Sequence, residues 1–210
     1  VAMSSMRIFA PALAAVLAAA AAQLPELIVQ ATDGGSLLRV RNTAAQPLSA
    51  FLIEMVGYPG SSYALYQDAV GDLLPIAPGE ERKLPIANMT VGAAPEYVKM
   101  QAAIYADGSS AGTREKVAQL IGLRWTNLET IRELIARVEK GAGATDLRSW
   151  ANSIPQPSKR ERGTPVALTR STARDIISAV AERLDKNSAS QLLSNLKAAE
   201  RSLAASLPRE

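Results

Sequence analysis

The sequence predicts an α+β protein in which an antiparallel β-sandwich is followed by an α-helical C-terminal region. Between residues 27 and 106, short apolar or alternating runs are separated by turn signals. After residue 112 the apolar residues recur at helical spacing. The charge changes at the same place, from 5 − 9 = −4 over residues 23–112 to 17 − 11 = +6 over residues 113–210. Two differently built parts are therefore expected.

Residues 1–22 are typical of a secretory signal peptide. Arg7 precedes an apolar run that ends in Ala20-Ala21-Ala22, so cleavage is expected before Gln23. The run has about fifteen residues, fewer than the roughly 18–20 that span a bilayer. An uncleaved anchor is the weaker alternative, and no transmembrane segment is expected in the mature chain. Val1 suggests a start codon other than ATG and a bacterial source, so the expected location is periplasmic or secreted.

Residues 23–112 are expected to form the sandwich, from strands near 27–29, 36–42, 49–56, 82–86 and 97–106. Leu38 and Val40 alternate with arginines and are expected to point inward. Pro85 has no N–H for a strand ladder, which predicts an edge strand. The last strand is expected to place Val98, Met100, Ala102 and Ile104 on one face.

The helical region divides into three predicted parts. Residues 113–152 form a helical segment with Thr113 as N-cap, packed on the sandwich or on the tail. Gly141 is expected to end its main helix, and Thr145 to cap a short turn. Residues 153–171 are predicted to be a basic, Pro-containing linker. Residues 172–210 are predicted to form a helical hairpin, in which Ser188 and Gln191 make a capping box.

The sandwich segment resembles immunoglobulin-like or fibronectin-III-like modules of uncharacterised secreted bacterial proteins. The resemblance covers approximately residues 24–112 and consists of turn residues joined to alternating strands, at 40–48, 73–80 and 103–109. It implies the fold of such a module and little about activity, because these modules have many functions.

Cysteine and histidine are absent from the chain, which removes several chemistries. Cys/His zinc sites, haem ligation by Cys or His, cysteine nucleophiles and Ser-His-Asp triads cannot form within it. Gly108-Ser109-Ser110-Ala111-Gly112 matches the G-x-S-x-G nucleophile elbow. Because no histidine can accept the proton of Ser109, this segment is interpreted as a loop between the last strand and the first helix.

Carboxylates remain as candidates for catalysis or Ca²⁺ binding. Asp68 and Asp72 are placed in a loop, without the ordered ligand series of a calcium site around them. They are therefore interpreted as solvated loop residues, and no cofactor or metal is expected.

Two groups of residues are candidates for partner contacts. Tyr58, Tyr63 and Tyr66 cluster in one loop region, and tyrosine is enriched at interfaces. An alternative is that they cover the end of the sandwich. The basic residues Lys159, Arg160 and Arg162 could contact an anionic envelope component or simply form a solvated linker. Export and the lack of interleaved aromatic residues argue against nucleic acid.

These features predict an exported, non-catalytic binding or structural protein of the bacterial envelope. It would act through contacts with another protein or with an envelope component. The alternative is a hydrolase that acts on glycans through carboxylates, which requires two carboxyl groups facing one pocket.

Overall fold

The computed structural model describes residues 22–33, 35–56, 62–69, 74–87, 97–158, 160–161, 164–186 and 188–207. Over these ranges the chain is α+β, with two antiparallel sheets and four helices. The strands are β1 (Glu26–Thr32), β2 (Gly35–Arg41), β3 (Leu48–Val56), β4 (Ser62–Asp68), β5 (Glu81–Ala87), β6 (Tyr97–Tyr105) and β7 (Ser110–Gly112). One sheet has the order β1-β2-β5, and the other β4-β3-β6-β7.

The two sheets share one hydrophobic core. Leu38 and Val40 of β2 are fully buried in it, as their alternation with arginines predicted, together with Phe51 and Ile53 of β3. Pro85 lies in β5, which is an edge strand as predicted, and pairs there with Leu37 of β2. An edge strand tolerates proline because one side of its backbone needs no ladder hydrogen bond.

The expectation that Val98, Met100, Ala102 and Ile104 share one face of β6 is wrong. The pairing shifts between Leu52↔Ala102 and Ile53↔Met100, so one extra residue is inserted in β6. A bulge of this kind reverses the alternation on its two sides. Val98 and Met100 consequently face the core between the sheets, whereas Ala102 and Ile104 face away from it.

The helices are α1 (Arg114–Glu139), α2 (Ala144–Ser153), α3 (Pro165–Leu184) and α4 (Ala189–Ser206). Thr113 and Ser188 are N-caps as predicted, because their hydroxyl groups accept from the backbone N–H three residues later. The capping box expected at Ser188 is only half present, since the side chain of Gln191 donates to Asn195 Oδ1 at 3.3 Å. The expected cap at Thr145 is wrong, because α2 begins at Ala144 and its N-cap is Gly143. The carboxylate of Asp146 accepts from the Gly143 N–H at 2.9 Å. α3 begins at Pro165, so it includes the C-terminal part of the expected linker 153–171.

α1 belongs to two hydrophobic cores at once. Near its start, Leu120 and Leu123 pack on the outer face of the four-stranded sheet, against Ala50, Leu52, Ala102 and Ile104. Further along, the helix leaves the sheet. From Leu128 to Val138 its apolar residues join those of α2, α3 and α4 in a separate helical core. A helix of 26 residues, about 39 Å long, is long enough to do both.

Gly112 is the point at which β7 passes into α1, and only glycine fits there. Its φ is +122°, and a Cβ atom would lie 2.3 Å from the carbonyl oxygen of Gln101. The neighbouring strand backbone therefore leaves no room for a side chain.

We expect Gly112→Ala to lower the free energy of unfolding by more than about 1 kcal/mol, since it adds both backbone strain and a clash. Gly122→Ala is the matched control, because Gly122 lies on an exposed position of α1 and the added Cβ atom would meet nothing within 4 Å. The control should be neutral or stabilise by up to about 1 kcal/mol. Urea denaturation of both variants measures this, and equal effects would contradict the account of Gly112.

Candidate functional site

The G-x-S-x-G segment lies in the hairpin between β6 and β7. Its turn is closed by two backbone hydrogen bonds, from the Tyr105 N–H to the Ser109 carbonyl at 2.9 Å and from the Gly108 N–H to the Tyr105 carbonyl at 3.0 Å. Gly108 has a φ of +84°. The Ser109 hydroxyl donates to Asp107 Oδ1 at 2.7 Å in an exposed turn. This bond lowers the pKa of Asp107, so that carboxylate is a weak base. The geometry is that of a turn stabilised by its own aspartate, as the loop interpretation expected for Asp107 and Gly108. The interpretation is wrong for Ser110–Gly112, which form strand β7 and pair with β6.

The interpretation of Asp68 as a solvated loop residue is wrong, whereas Asp72 lies outside the described residues. Asp68 is the last residue of β4, an edge strand of the four-stranded sheet, and its side chain is only 3% exposed. Tyr66 lies two residues earlier on the same face, towards α1. On α1, Arg124 and Asn127 are three residues apart and therefore also share a face.

These four side chains form one buried polar network. Asp68 Oδ2 accepts from Arg124 Nε at 3.2 Å, from Asn127 Nδ2 at 3.1 Å and from the Tyr66 hydroxyl at 2.5 Å. Asn127 also donates to the Tyr66 hydroxyl at 2.7 Å. Arg124 Nη2 donates to the hydroxyl of Ser206 at 2.9 Å. The network thus connects β4, α1 and the end of α4.

The network is incompletely paired. Asp68 Oδ1, Arg124 Nη1 and Asn127 Oδ1 are buried and have no hydrogen-bond partner among the described residues. Burying such an atom without a partner costs about 1–3 kcal/mol. Burial raises the pKa of Asp68, and the field of Arg124 opposes this effect without cancelling it. Burial, followed by the charge of Asp68, raises the pKa of Tyr66 well above its ordinary value.

A groove runs beside this network between α3 and α4, and we call it the α3–α4 groove. Its volume is about 550 Å³. It is lined by residues of β4, α1, α3 and α4: Tyr66, Gln67, Asp68, Asn127, Ile131, Thr172, Asp175, Ile176, Ala179, Val180, Arg183, Leu192, Asn195, Leu196 and Ala199. The α3 and α4 members recur every three or four residues, so each helix presents one face to the groove.

Polar residues gather at the end of the groove formed by β4. Leu168, near the start of α3, packs in the cluster that contains Tyr66, and Ser206 at the end of α4 is bonded to Arg124. The groove residues nearest to that end of α3 are therefore Thr172 and Asp175. Asp175 is an exposed residue whose pKa is raised by partial burial, against the opposing charge of Arg174.

The predicted tyrosine cluster is only partly described. Tyr58 lies outside the described residues. The backbone of Tyr63 pairs with Met55, but its side chain is also outside the described part. Tyr66 lies in a strand rather than in a loop, and its hydroxyl is bonded to Asp68 and Asn127. Tyr66 therefore contributes to a groove wall, and a partner contact through these tyrosines stays a prediction.

Of the three basic residues predicted to contact a partner, Lys159 and Arg162 lie outside the described residues. Arg160 is exposed in a turn between α2 and α3. In that turn Glu161 accepts from the Ser158 N–H at 2.9 Å and pairs with Arg170 at 3.4 Å. A partner contact through this segment stays a prediction.

Over the described ranges, no group of three or more His, Cys, Asp or Glu side chains could hold a metal ion. None of the helices in the same ranges has the length and apolar character needed to cross a membrane.

Comparisons with protein-family models, with curated proteins and with solved structures find no match for this chain.

Sequence reasoning missed Arg124, Asn127 and Asp175 as site residues. A signal for the first two was present. Leu120, Arg124, Asn127, Ile131 and Leu134 follow the three- and four-residue spacing of one helix face, and two polar residues interrupt it. A charged residue on a buried face needs a buried partner, which would have pointed to an acidic residue of the sheet.

We expect Arg124→Met to lower the free energy of unfolding by about 3–5 kcal/mol, because it leaves Asp68 charged and buried without its partner. Asp68→Asn combined with Arg124→Met removes both charges and should recover more than about 1 kcal/mol of that loss. Arg132→Met is the control. It breaks the exposed pair with Glu200 and should cost less than about 1 kcal/mol. A double variant no more stable than Arg124→Met would contradict a charge-based role. Urea denaturation gives all three values.

The raised pKa of Asp68 predicts a specific pH dependence. The folded protein holds this proton more tightly than the unfolded chain, whose value is near 3.8. The stability contributed by protonated Asp68 is therefore fully present below pH 3.8 and is lost as pH rises through the folded pKa. The stability of the wild type relative to Asp68→Asn should fall over this window in urea denaturation. A relative stability that increases with pH would show that Arg124 outweighs burial.

Proposed function

We propose that this protein is an exported, non-catalytic binding or structural protein of the bacterial envelope, and that the α3–α4 groove is its contact site. The groove carries the proposal. Its volume of about 550 Å³ lies within the range of sites for small molecules, roughly 300–1,000 Å³. Its surface is mostly apolar, and its polar residues include Arg183 and Asn195 besides those at the β4 end. A mainly apolar wall that carries several polar groups is typical of such sites.

We also propose that the strand region is an immunoglobulin-like sandwich. The sheet order β1-β2-β5 corresponds to strands A-B-E, and β4-β3-β6-β7 corresponds to C′-C-F-G. The shared core between the sheets supports this assignment. Strand β4, as C′, then lies at a sheet edge and supplies the polar end of the groove.

The signal-like segment before Gln23 supports export, and the partner is a protein or an envelope component. The basic residues Lys159, Arg160 and Arg162 would contact an anionic component at a surface separate from the groove.

One observation favours the alternative, a glycan hydrolase that uses carboxylates. Asp68 and Asp175 both line the groove, and partial or full burial raises the pKa of each, as it does in many general acids. However, Asp68 Oδ2 already accepts three hydrogen bonds and its side chain is 3% exposed. A carboxylate held in this way stabilises the junction between sheet and helices, and non-catalytic binding is the better-supported function.

Filling the groove should test the proposal. The assay captures partners from solubilised native envelope with the protein as bait and identifies them by mass spectrometry. Ala179 lies on the groove wall, and Ala179→Trp should abolish capture of the partner. Ala198→Trp, at an exposed position of α4 outside the groove, should leave capture unchanged. A component retained equally by both variants would show that the groove is not the contact site. Hydrolysis of fluorogenic glycans that is lost in Asp175→Asn would establish the alternative.

A further inference from the structure

Oxygen acceptors dominate the β4 end of the α3–α4 groove. Gln67 Oε1, Asp68 Oδ1 and Asn127 Oδ1 are buried and have no hydrogen-bond partner in the described part of the chain. All three belong to residues that line the groove. These oxygens are covered from solvent, so they act through the negative potential that they leave at this end of the groove.

The two carboxylates at this end of the groove, Asp68 and Asp175, differ in whether a positively charged side chain is bonded to them. Asp68 is paired with Arg124, and the pair is net neutral. Asp175 makes no hydrogen bond or ion pair with another described residue, and Arg174 is the charged group whose field acts on it. Asp175 is also exposed, so a ligand in the groove can reach it directly.

The rest of the groove is mostly apolar, although Arg183 and Asn195 also line it. Ile176, Val180, Leu192 and Leu196 form its walls together with Ile131 of α1. An aliphatic chain placed there would remove apolar surface from water, at about 0.8 kcal/mol per buried CH₂ group.

We propose that the α3–α4 groove binds a small aliphatic ammonium compound, with its chain between α3 and α4 and its ammonium group beside Asp175. An ammonium group is positively charged and has no acceptor, so it complements the negative potential at this end of the groove and can donate to the exposed carboxylate of Asp175. A carboxylate or phosphate head group would meet uncompensated acceptors and the charge of Asp175. The inference rests on the proposed function and names the chemistry of the envelope component.

The test titrates the full mature chain at pH 7 with 1-hexylamine, 1-hexanol and hexanoate, which share one chain and differ in head group. Calorimetry or amide NMR shifts measure the affinities. We expect 1-hexylamine to bind about tenfold more tightly than hexanoate, as one charge-assisted hydrogen bond would provide. Hexanoate binding as tightly as the amine, or no binding by any probe, overturns the proposal.

Asp175→Asn should weaken 1-hexylamine about tenfold and leave 1-hexanol unchanged. Glu182→Gln is the matched control, since it removes the same charge from an exposed position of α3 outside the groove. An equal effect of both variants would show a long-range charge effect and would overturn the role of Asp175.

Failure of the inference is distinguishable from failure of the proposed function. If the probes do not discriminate while Ala179→Trp still abolishes envelope capture, the ammonium assignment is wrong and the contact site stands. If capture is unaffected by Ala179→Trp, the proposed function is wrong whatever the probes show.

Discussion

The buried ion pair between Asp68 and Arg124 fixes how the helices lie against the sheets. Both side chains are 3% exposed or less, so neither charge can return to water without separating β4 from α1. Apolar contacts alone would tolerate some sliding of the helix, since they have no preferred direction. A charge-assisted hydrogen bond has a direction, and Ser206 extends the same constraint to the end of α4. The pair therefore sets where α1 and the end of α4 lie against β4, while the apolar core of the helices places the remaining groove walls.

Much of the fold is predictable from the spacing of apolar residues, because a half-buried strand or helix repeats its apolar residues at a characteristic period along the sequence. The alternation of Leu38 and Val40 with arginines, the proline of β5 and the caps at Thr113 and Ser188 each have a local physical cause. No local sequence pattern marks the bulge at Gln101 in β6. It depends on which residues of β3 lie opposite, and that pairing is set by contacts distant in sequence. An alternating pattern read through a bulge assigns half of the strand to the wrong face.

The site was harder to predict for a related reason. Asp68 and Arg124 are 56 residues apart, and neither stands out among its sequence neighbours. Asp68 is the last residue of its strand, and aspartates at such positions are often solvated. Its burial results from the path of α1 across the sheet. Asp175 acquires its setting in a similar way, from the separation of α3 and α4 rather than from any motif.

Because α1 contributes residues to both the core on the sheet and the helical core, the strand region is not an independent domain that could be transferred to another protein. A chain ending at Gly112 would expose Ala50, Leu52, Ala102 and Ile104, which are fully or almost fully buried beneath α1. A chain beginning at Thr113 would carry Leu120 and Leu123 uncovered. Recombination near this point would give two fragments that each expose an apolar patch and are therefore prone to aggregate. The chemical boundary between strands and helices is therefore a poor site for gene fusion, and the two halves are expected to be inherited together.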